Sequence, residues 1–214
     1  MTEAEGNRLI KELAEYSVPE LCDGMEVFRT MDPGIRHMAG RSKILGQAFT
    51  IEVPAGEGGF VADALMHVKP GEVLVIAGQG QIRSSYWGDH RSLCAAKLGA
   101  EAVIIDGAFR DIDGCEAVGF PVFARAVTPG TALKTGAGRY GIPVSCGGIV
   151  IRPGDIIAGD RNGICAFPIK EAAGILAKTR IKVAGQKYTV SEMERTGTII
   201  TKVIKHNIEM KAGG

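Results

Sequence analysis

The chain has 214 residues, of which 45% are hydrophobic and 23% charged. That length and balance suit one large globular domain and exclude a disordered or fibrous chain. The formal net charge is +1, from 25 basic and 24 acidic residues with no dense Lys/Arg run, which argues against a nucleic-acid or membrane-surface partner.

From the N-terminus, Leu9, Ile10, Leu13 and Tyr16 recur at helical spacing and predict a helix within residues 3–16. Ser17 is a capping candidate for a second short helix, Pro19–Met25, with proline in its first turn. Met1–Arg8 carry charges of both signs and no apolar core, so no signal peptide is expected. No apolar run approaches the roughly 20 residues that a bilayer requires. A cytoplasmic location is the expectation. Gln47–Val53 reads as a strand and Gly59–Met66 as a helix. Lys69-Pro70-Gly71-Glu72 is a turn into a buried strand, Val73–Ala77.

In the middle of the chain, Asp89 opens a predicted helix that runs to Leu98, with Leu93, Cys94 and Ala96 facing inward and Gly99 ending it. Ala102–Ile105 then reads as a buried strand, a short helix follows Arg110-Asp111, and Pro121–Ala124 is another strand. This order predicts a parallel βαβ unit. Val144–Ile151, Asp155–Gly159 and Ile164–Phe167 read as later strands. Arg152–Gly159 echoes Lys69–Gly78: each has a basic residue, Pro-Gly, an acid and an apolar run. A reused turn into a core strand explains the echo better than a duplicated functional loop. Residues 170–210 look mainly helical, with the β-branched run Thr198–Ile204 as a break.

The five cysteines, Cys22, Cys94, Cys115, Cys146 and Cys165, include no Cys-x-x-Cys pair, so a cysteine-built zinc site is not expected. They read as small core residues kept reduced. His37, His67, His90 and His206 show no ligand spacing. His90 is either a pocket-lining residue or a solvent-facing one, and Trp87 either walls a site or packs. Lys97 reads as a solvated helix residue.

Twenty residues separate Asp89 from Arg110. A helix that packs back along a strand returns the chain to the same end of the sheet. Asp89, Arg110 and Asp111 can therefore meet in one crevice at the strand's carboxyl end. Two carboxylates can hold a hard divalent ion, directly or through water. Arg110 offers a planar fork that matches a carboxylate. The first amides after Asp89 favour an anion. On the residues alone, an Arg-Asp pair after a strand also serves as a salt bridge or helix cap.

Tyr86-Trp87-Gly88-Asp89 and Ile105-Asp106-Gly107-Ala108-Phe109-Arg110-Asp111 resemble the core of the RraA-like superfamily. Gly119–Arg125, Pro143–Gly148 and Pro153–Gly163 fit in order, and the resemblance spans roughly residues 17–170. That superfamily includes 4-hydroxy-4-methyl-2-oxoglutarate/4-carboxy-4-hydroxy-2-oxoadipate aldolases and the regulator of ribonuclease E activity. The resemblance implies an α/β fold of the swivelling β/β/α, phosphohistidine-domain-like kind, with flanking N- and C-terminal helices. It implies one domain over residues 1–214, with a C-terminal extension from about residue 171. Assembly as a homotrimer or homohexamer is implied too.

The Asp-x20-Arg-Asp pattern resembles the aldolase branch, since members acting only as ribonuclease regulators typically lack the first acid. By resemblance, Asp111 is a direct ligand of Mg²⁺ or Mn²⁺ and Asp89 reaches the ion through water. Arg110 contacts the pyruvate portion of a 2-oxo acid, Gly88 is a further substrate-binding residue, and the amides of His90 and Arg91 receive the carboxylate. A neighbouring subunit's C-terminal acid, Glu192 or Glu194, is a candidate to complete the site. The implied activity is a pyruvate-releasing aldolase that can also decarboxylate oxaloacetate. The alternative is a non-catalytic regulator that binds a ribonuclease.

Overall fold

The computed structural model describes residues 3–198. Helices α1 (Glu3–Leu13) and α2 (Val18–Gly24) open the chain, followed by β1 (Arg36–Ala39), β2 (Ile44–Glu52), α3 (Gly59–Leu65) and β3 (Glu72–Trp87). Then come α4 (Asp89–Lys97), β4 (Ala102–Phe109), α5 (Ile112–Val118) and β5 (Val122–Val127). Short strands β6 (Arg139–Tyr140), β7 (Val144–Cys146), β8 (Ile149–Ile151), β9 (Ile156–Asp160) and β10 (Gly163–Phe167) lead to the long helix α6 (Ala172–Thr196).

Strands β2, β3, β4 and β5 are parallel neighbours, joined by α3, α4 and α5 in turn. The βαβ expectation from the middle of the sequence therefore holds. The main sheet runs β1-β5-β4-β3-β2-β9-β10, with β1, β9 and β10 antiparallel to their neighbours and β6 pairing with β2. Its ends, β1 and β10, come into contact, so the sheet is nearly closed, like a barrel. All eight residues of β4 are buried, as expected of a central parallel strand with both faces covered.

Alternation along the strands sends side chains into two cores. On one face Leu74, Ile76, Val103 and Ile105 meet Val61 and Leu65 of α3, Ala95 of α4 and Cys115 of α5. On the other, Val73, Val75, Ala102, Ile104 and Phe123 meet Val144, Cys146 and Ile151 of the β7–β8 hairpin. The layers are thus helices, sheet and hairpin, a mixed α/β fold with the β/β/α order. A third cluster joins Leu13, Leu21, Ile175 and Leu176 to β9 and β10, so the flanking helices pack on one end of the sheet.

Local chemistry accounts for several elements. Ser17 caps α2 in a reciprocal box: its N–H donates to Glu20 Oε2 at 2.7 Å and its hydroxyl accepts from the Glu20 N–H. The echoed segments are the same turn used twice. Glu72 Oε2 accepts the Lys69 N–H at 2.7 Å, and Asp155 Oδ2 accepts the Arg152 N–H at 2.8 Å. Gly71 and Gly154 take φ +80° and +81°, and the following strands β3 and β9 flank β2 on either side.

Three expectations are corrected. In α4, Leu93 and Ala96 face solvent, while Ser92 and Ala95 are buried and Cys94 is half-buried. The inward face is set by the hydrogen bond from Trp87 to Ser92, and small residues there let the helix lie close to the sheet. Val144–Ile151 is a hairpin and not one strand, because Gly147 and Gly148 both take positive φ between β7 and β8. The strand begun at Val73 continues to Trp87 through irregular register near Gln79 and Gly80, both at positive φ. Beyond Thr198, the run to Ile204 lies outside the described residues, as does His206. The cysteines are free: Cys115, Cys146 and Cys165 are buried and Cys22 and Cys94 half-buried. No helix among the described residues is long and apolar enough to cross a membrane.

Candidate active site

β3 ends at Trp87 and β4 at Phe109, side by side, with Trp87 paired to Phe109. The residues that follow each strand are therefore brought to the same sheet end. There Gly88, Asp89, His90, Arg91, Arg110 and Asp111 line one cleft of about 250 Å³. Every site residue singled out in the sequence falls in that cleft, apart from the two C-terminal acids. Glu192 pairs with Arg195 at 2.7 Å on α6, and neither Glu192 nor Glu194 lines the cleft within the protomer.

Backbone geometry presents the two carboxylates. Asp111 caps α5 from the left-handed region, φ 59° and ψ 50°, at a cost of about 1 kcal/mol that aspartate tolerates better than most residues. The Cys115 N–H donates to the Asp111 carbonyl at 2.9 Å, and the Arg110 N–H donates to the Trp87 carbonyl at 3.1 Å. Asp89 begins α4 next to Gly88, which offers no side-chain cap. Asp89 Oδ1 accepts the His90 N–H at 2.6 Å, and Asp111 Oδ2 accepts from Arg110 Nε at 3.1 Å. Among the described residues, no hydrogen-bond donor reaches Asp89 Oδ2 or Asp111 Oδ1. The His90 amide is thus already engaged by Asp89.

The two carboxylates lie against glycine backbone. A Cβ at Gly88 would stand 2.7 Å from Asp111 Oδ2, and one at Gly114 would stand 2.8 Å from Asp89 Oδ2. Among the described residues, no group of three or more His, Cys, Asp or Glu side chains could hold a metal. The cleft offers two carboxylates as donors, Asp89 and Asp111. That fits magnesium or manganese, which keep several waters and use one or two protein carboxylates.

Arg91 is bound differently from Arg110. Its guanidinium donates to the carbonyls of Tyr86 and Gly58, the latter at 2.6 Å, and so ties the β3 end to the segment before α3. Burial, together with the neighbouring charge of Arg110, holds its pKa below the ordinary arginine value, with Glu57 opposing. The Arg110 guanidinium pairs with the Asp111 carboxylate and is partly exposed. His90 lines the cleft and is exposed, whereas Lys97 lies outside it at the solvent-exposed end of α4. Trp87 lines the cleft and is also buried.

The sequence reading missed the opposite wall. Ser85, Thr131, Ala132, Leu133 and Lys134 complete the cleft. Ser85 stands on β3, whereas Thr131 to Lys134 belong to the loop after β5, which has no periodicity in the sequence. Glu57 holds this loop in place. Burial would push this carboxyl up, but Thr135 donates to Oε2 through both its N–H and its hydroxyl, and the Gly59 and Phe60 N–H groups donate to Oε1. These bonds bring the Glu57 pKa down to about 2. Cys115, buried below the carboxylates, is pushed up by burial and by Asp89, Asp111 and Glu116.

The RraA-like family, described as Aldolase/RraA, matches residues 18–166. The chain belongs to the RraA-like family. Within it, the chain is 34% identical over 170 residues to a Halalkalibacterium halodurans protein provisionally named 4-hydroxy-4-methyl-2-oxoglutarate aldolase, covering 78% of this chain and 81% of that one. A Pseudomonas syringae pv. tomato protein with the same provisional name is 32% identical over 154 residues, covering 72% of this chain and 94% of its own. Among solved structures, Streptomyces coelicolor RraAS2, an unusual member of the RNase ES inhibitor RraA protein family, superposes with a TM-score of 0.78. It is 23% identical and covers 86% of this chain and 98% of its own, a likeness of fold.

Proposed function

We propose that this RraA-like protein is a divalent-metal-dependent lyase. Its substrate is a 4-hydroxy-2-oxo diacid, cleaved to pyruvate and a second oxo acid. The observation that carries this reading is the convergence of Asp89, Arg110 and Asp111 on one cleft. The provisional aldolase names of the relatives support it.

Asp111 and Asp89 would hold Mg²⁺ or Mn²⁺, Asp89 through water. When bound, such an ion supplies positive charge that stabilises an enolate. Arg110 grips the substrate carboxylate in its planar fork and stabilises the negative charge that develops as the C3–C4 bond breaks. The electron pair of that bond passes to C3, giving the pyruvate enolate, while C4 becomes a carbonyl. Asp89 Oδ2 takes the proton of the C4 hydroxyl, directly or through a water molecule. Water protonates C3 to complete pyruvate, and the hydroxide left behind takes the proton back from Asp89. Oxaloacetate decarboxylation needs no such base, so the same groups serve it as a side reaction. Glu192 or Glu194 of a neighbouring subunit, in a trimer or pair of trimers, is a candidate to complete the site.

The test is a panel of oxaloacetate and 4-hydroxy-2-oxo diacids with Mg²⁺ or Mn²⁺, following pyruvate with and without chelator. Metal-dependent pyruvate release is expected. No release across the panel would instead favour the non-catalytic protein that binds a ribonuclease.

A further inference from the structure

Beneath the two carboxylates lie three fully buried polar side chains that the proposed chemistry does not use: Trp87, Ser92 and Cys115. Trp87 Nε1 donates to Ser92 Oγ at 2.8 Å. Ser92 Oγ donates to Cys115 Sγ at 3.5 Å, and Cys115 Sγ donates to the Arg110 carbonyl at 3.6 Å. The direction follows from chemistry. An indole N–H can only donate, so the serine oxygen accepts and its own proton is left for sulfur. The thiol proton then goes to the carbonyl.

That last acceptor gives the chain its consequence. The Arg110 carbonyl belongs to the peptide that joins Arg110 to Asp111. The tilt of this peptide plane sets φ of Asp111, which is held in the left-handed region. The Arg110 N–H is also held, by the Trp87 carbonyl at 3.1 Å. Trp87 therefore restrains both polar backbone atoms of Arg110, one directly and one through Ser92 and Cys115. Purely apolar packing would need no such groups, because burying polar atoms costs free energy unless they are paired. Among the described residues, no buried side-chain nitrogen or oxygen lacks a partner.

We infer that Trp87, Ser92 and Cys115 form a one-way hydrogen-bond chain that sets the Arg110–Asp111 peptide, making them positioning residues for the cation-binding carboxylate. The inference rests on the proposed lyase reading, since that reading makes Asp111 a ligand. Mn²⁺ is the probe, its binding measured from loss of the free-ion paramagnetic resonance signal. Cys115→Val stays apolar but removes the donor, and Ser92→Ala breaks the chain one step earlier. Both are expected to weaken Mn²⁺ binding about tenfold, whereas Cys115→Ser, which keeps a donor to the carbonyl, stays within about threefold of wild type.

Circular dichroism and thermal melting establish that each variant is folded. If Cys115→Val fails to fold, Ser92→Ala carries the test. Wild-type affinity in the folded donor-less variant overturns the proposal. So does a folded Cys115→Ser protein that binds as weakly as Cys115→Val. A wild-type protein that neither binds Mn²⁺ nor releases pyruvate overturns the lyase reading and this inference together. Failure of the chain alone shows only in the variants, beside an active wild type.

Discussion

Gly88 leaves the space that the Asp111 carboxylate occupies: a Cβ there would lie 2.7 Å from Asp111 Oδ2. Gly88 itself is extended, φ −169°, a conformation open to any residue. Gly88→Ala therefore displaces a carboxylate without straining its own backbone. We expect the melting temperature to stay close to wild type while pyruvate release falls about a hundredfold, the scale of a misplacement near 1 Å. Unchanged turnover would show that the Asp111 position does not matter.

Asp111 itself is best tested with asparagine, which tolerates the left-handed conformation while removing the charge. Asp111→Asn is expected to fold normally and to lose more than about 99% of pyruvate release, since a ligand carboxylate is gone. Asp111→Ala should lose activity as well, with an added stability cost of about 1 kcal/mol from backbone strain. Steady-state assays paired with urea unfolding read the two effects separately. Substantial turnover by the asparagine variant at ordinary metal levels would remove Asp111 from the site.

Arg110→Lys keeps a positive charge and loses the two-pronged geometry. A point charge cannot reproduce the fork, so KM for the oxo acid should rise about tenfold or more, with kcat also lowered. Near-normal kinetic constants would exclude the proposed grip.

Glu57 makes stability depend on pH. Its folded pKa of about 2 lies below the ordinary 4.5. The unfolded chain therefore binds the proton more readily, and stability falls as pH drops from about 4.5 through about 2. Above that window the contribution is fully present. Glu57→Gln should flatten part of this dependence in urea titrations between pH 5 and pH 3. It should also cost about 1–3 kcal/mol at pH 7, because all four partners are donors and an amide NH₂ cannot accept from them. A pH profile identical to wild type would show that the clamp is not ionised.

Much of the frame is legible in the linear chain because it is encoded by neighbours. Ser17 and Glu20 form their cap three residues apart, and the Lys69–Glu72 and Arg152–Asp155 turns close over the same span. The apolar runs of β3 and β4 and the helix between them specify a parallel pair without reference to any distant residue. That pair alone is enough to bring Asp89 and Arg110-Asp111 to one sheet end.

What required the folded chain is everything set by contacts between distant segments. The inward face of α4 turns on the bond from Trp87 to Ser92, and residue periodicity alone misplaced Leu93 and Ala96. The far wall of the cleft, Thr131 to Lys134, has no pattern of its own and is held by Glu57, 78 residues before Thr135. The sequence by itself thus determined element types, turns and the end of the sheet where the acids meet, because short-range hydrogen bonds and alternation dictate them. Only the tertiary structure decided helix phase, sheet closure and the opposing wall, because those depend on which surfaces pack together.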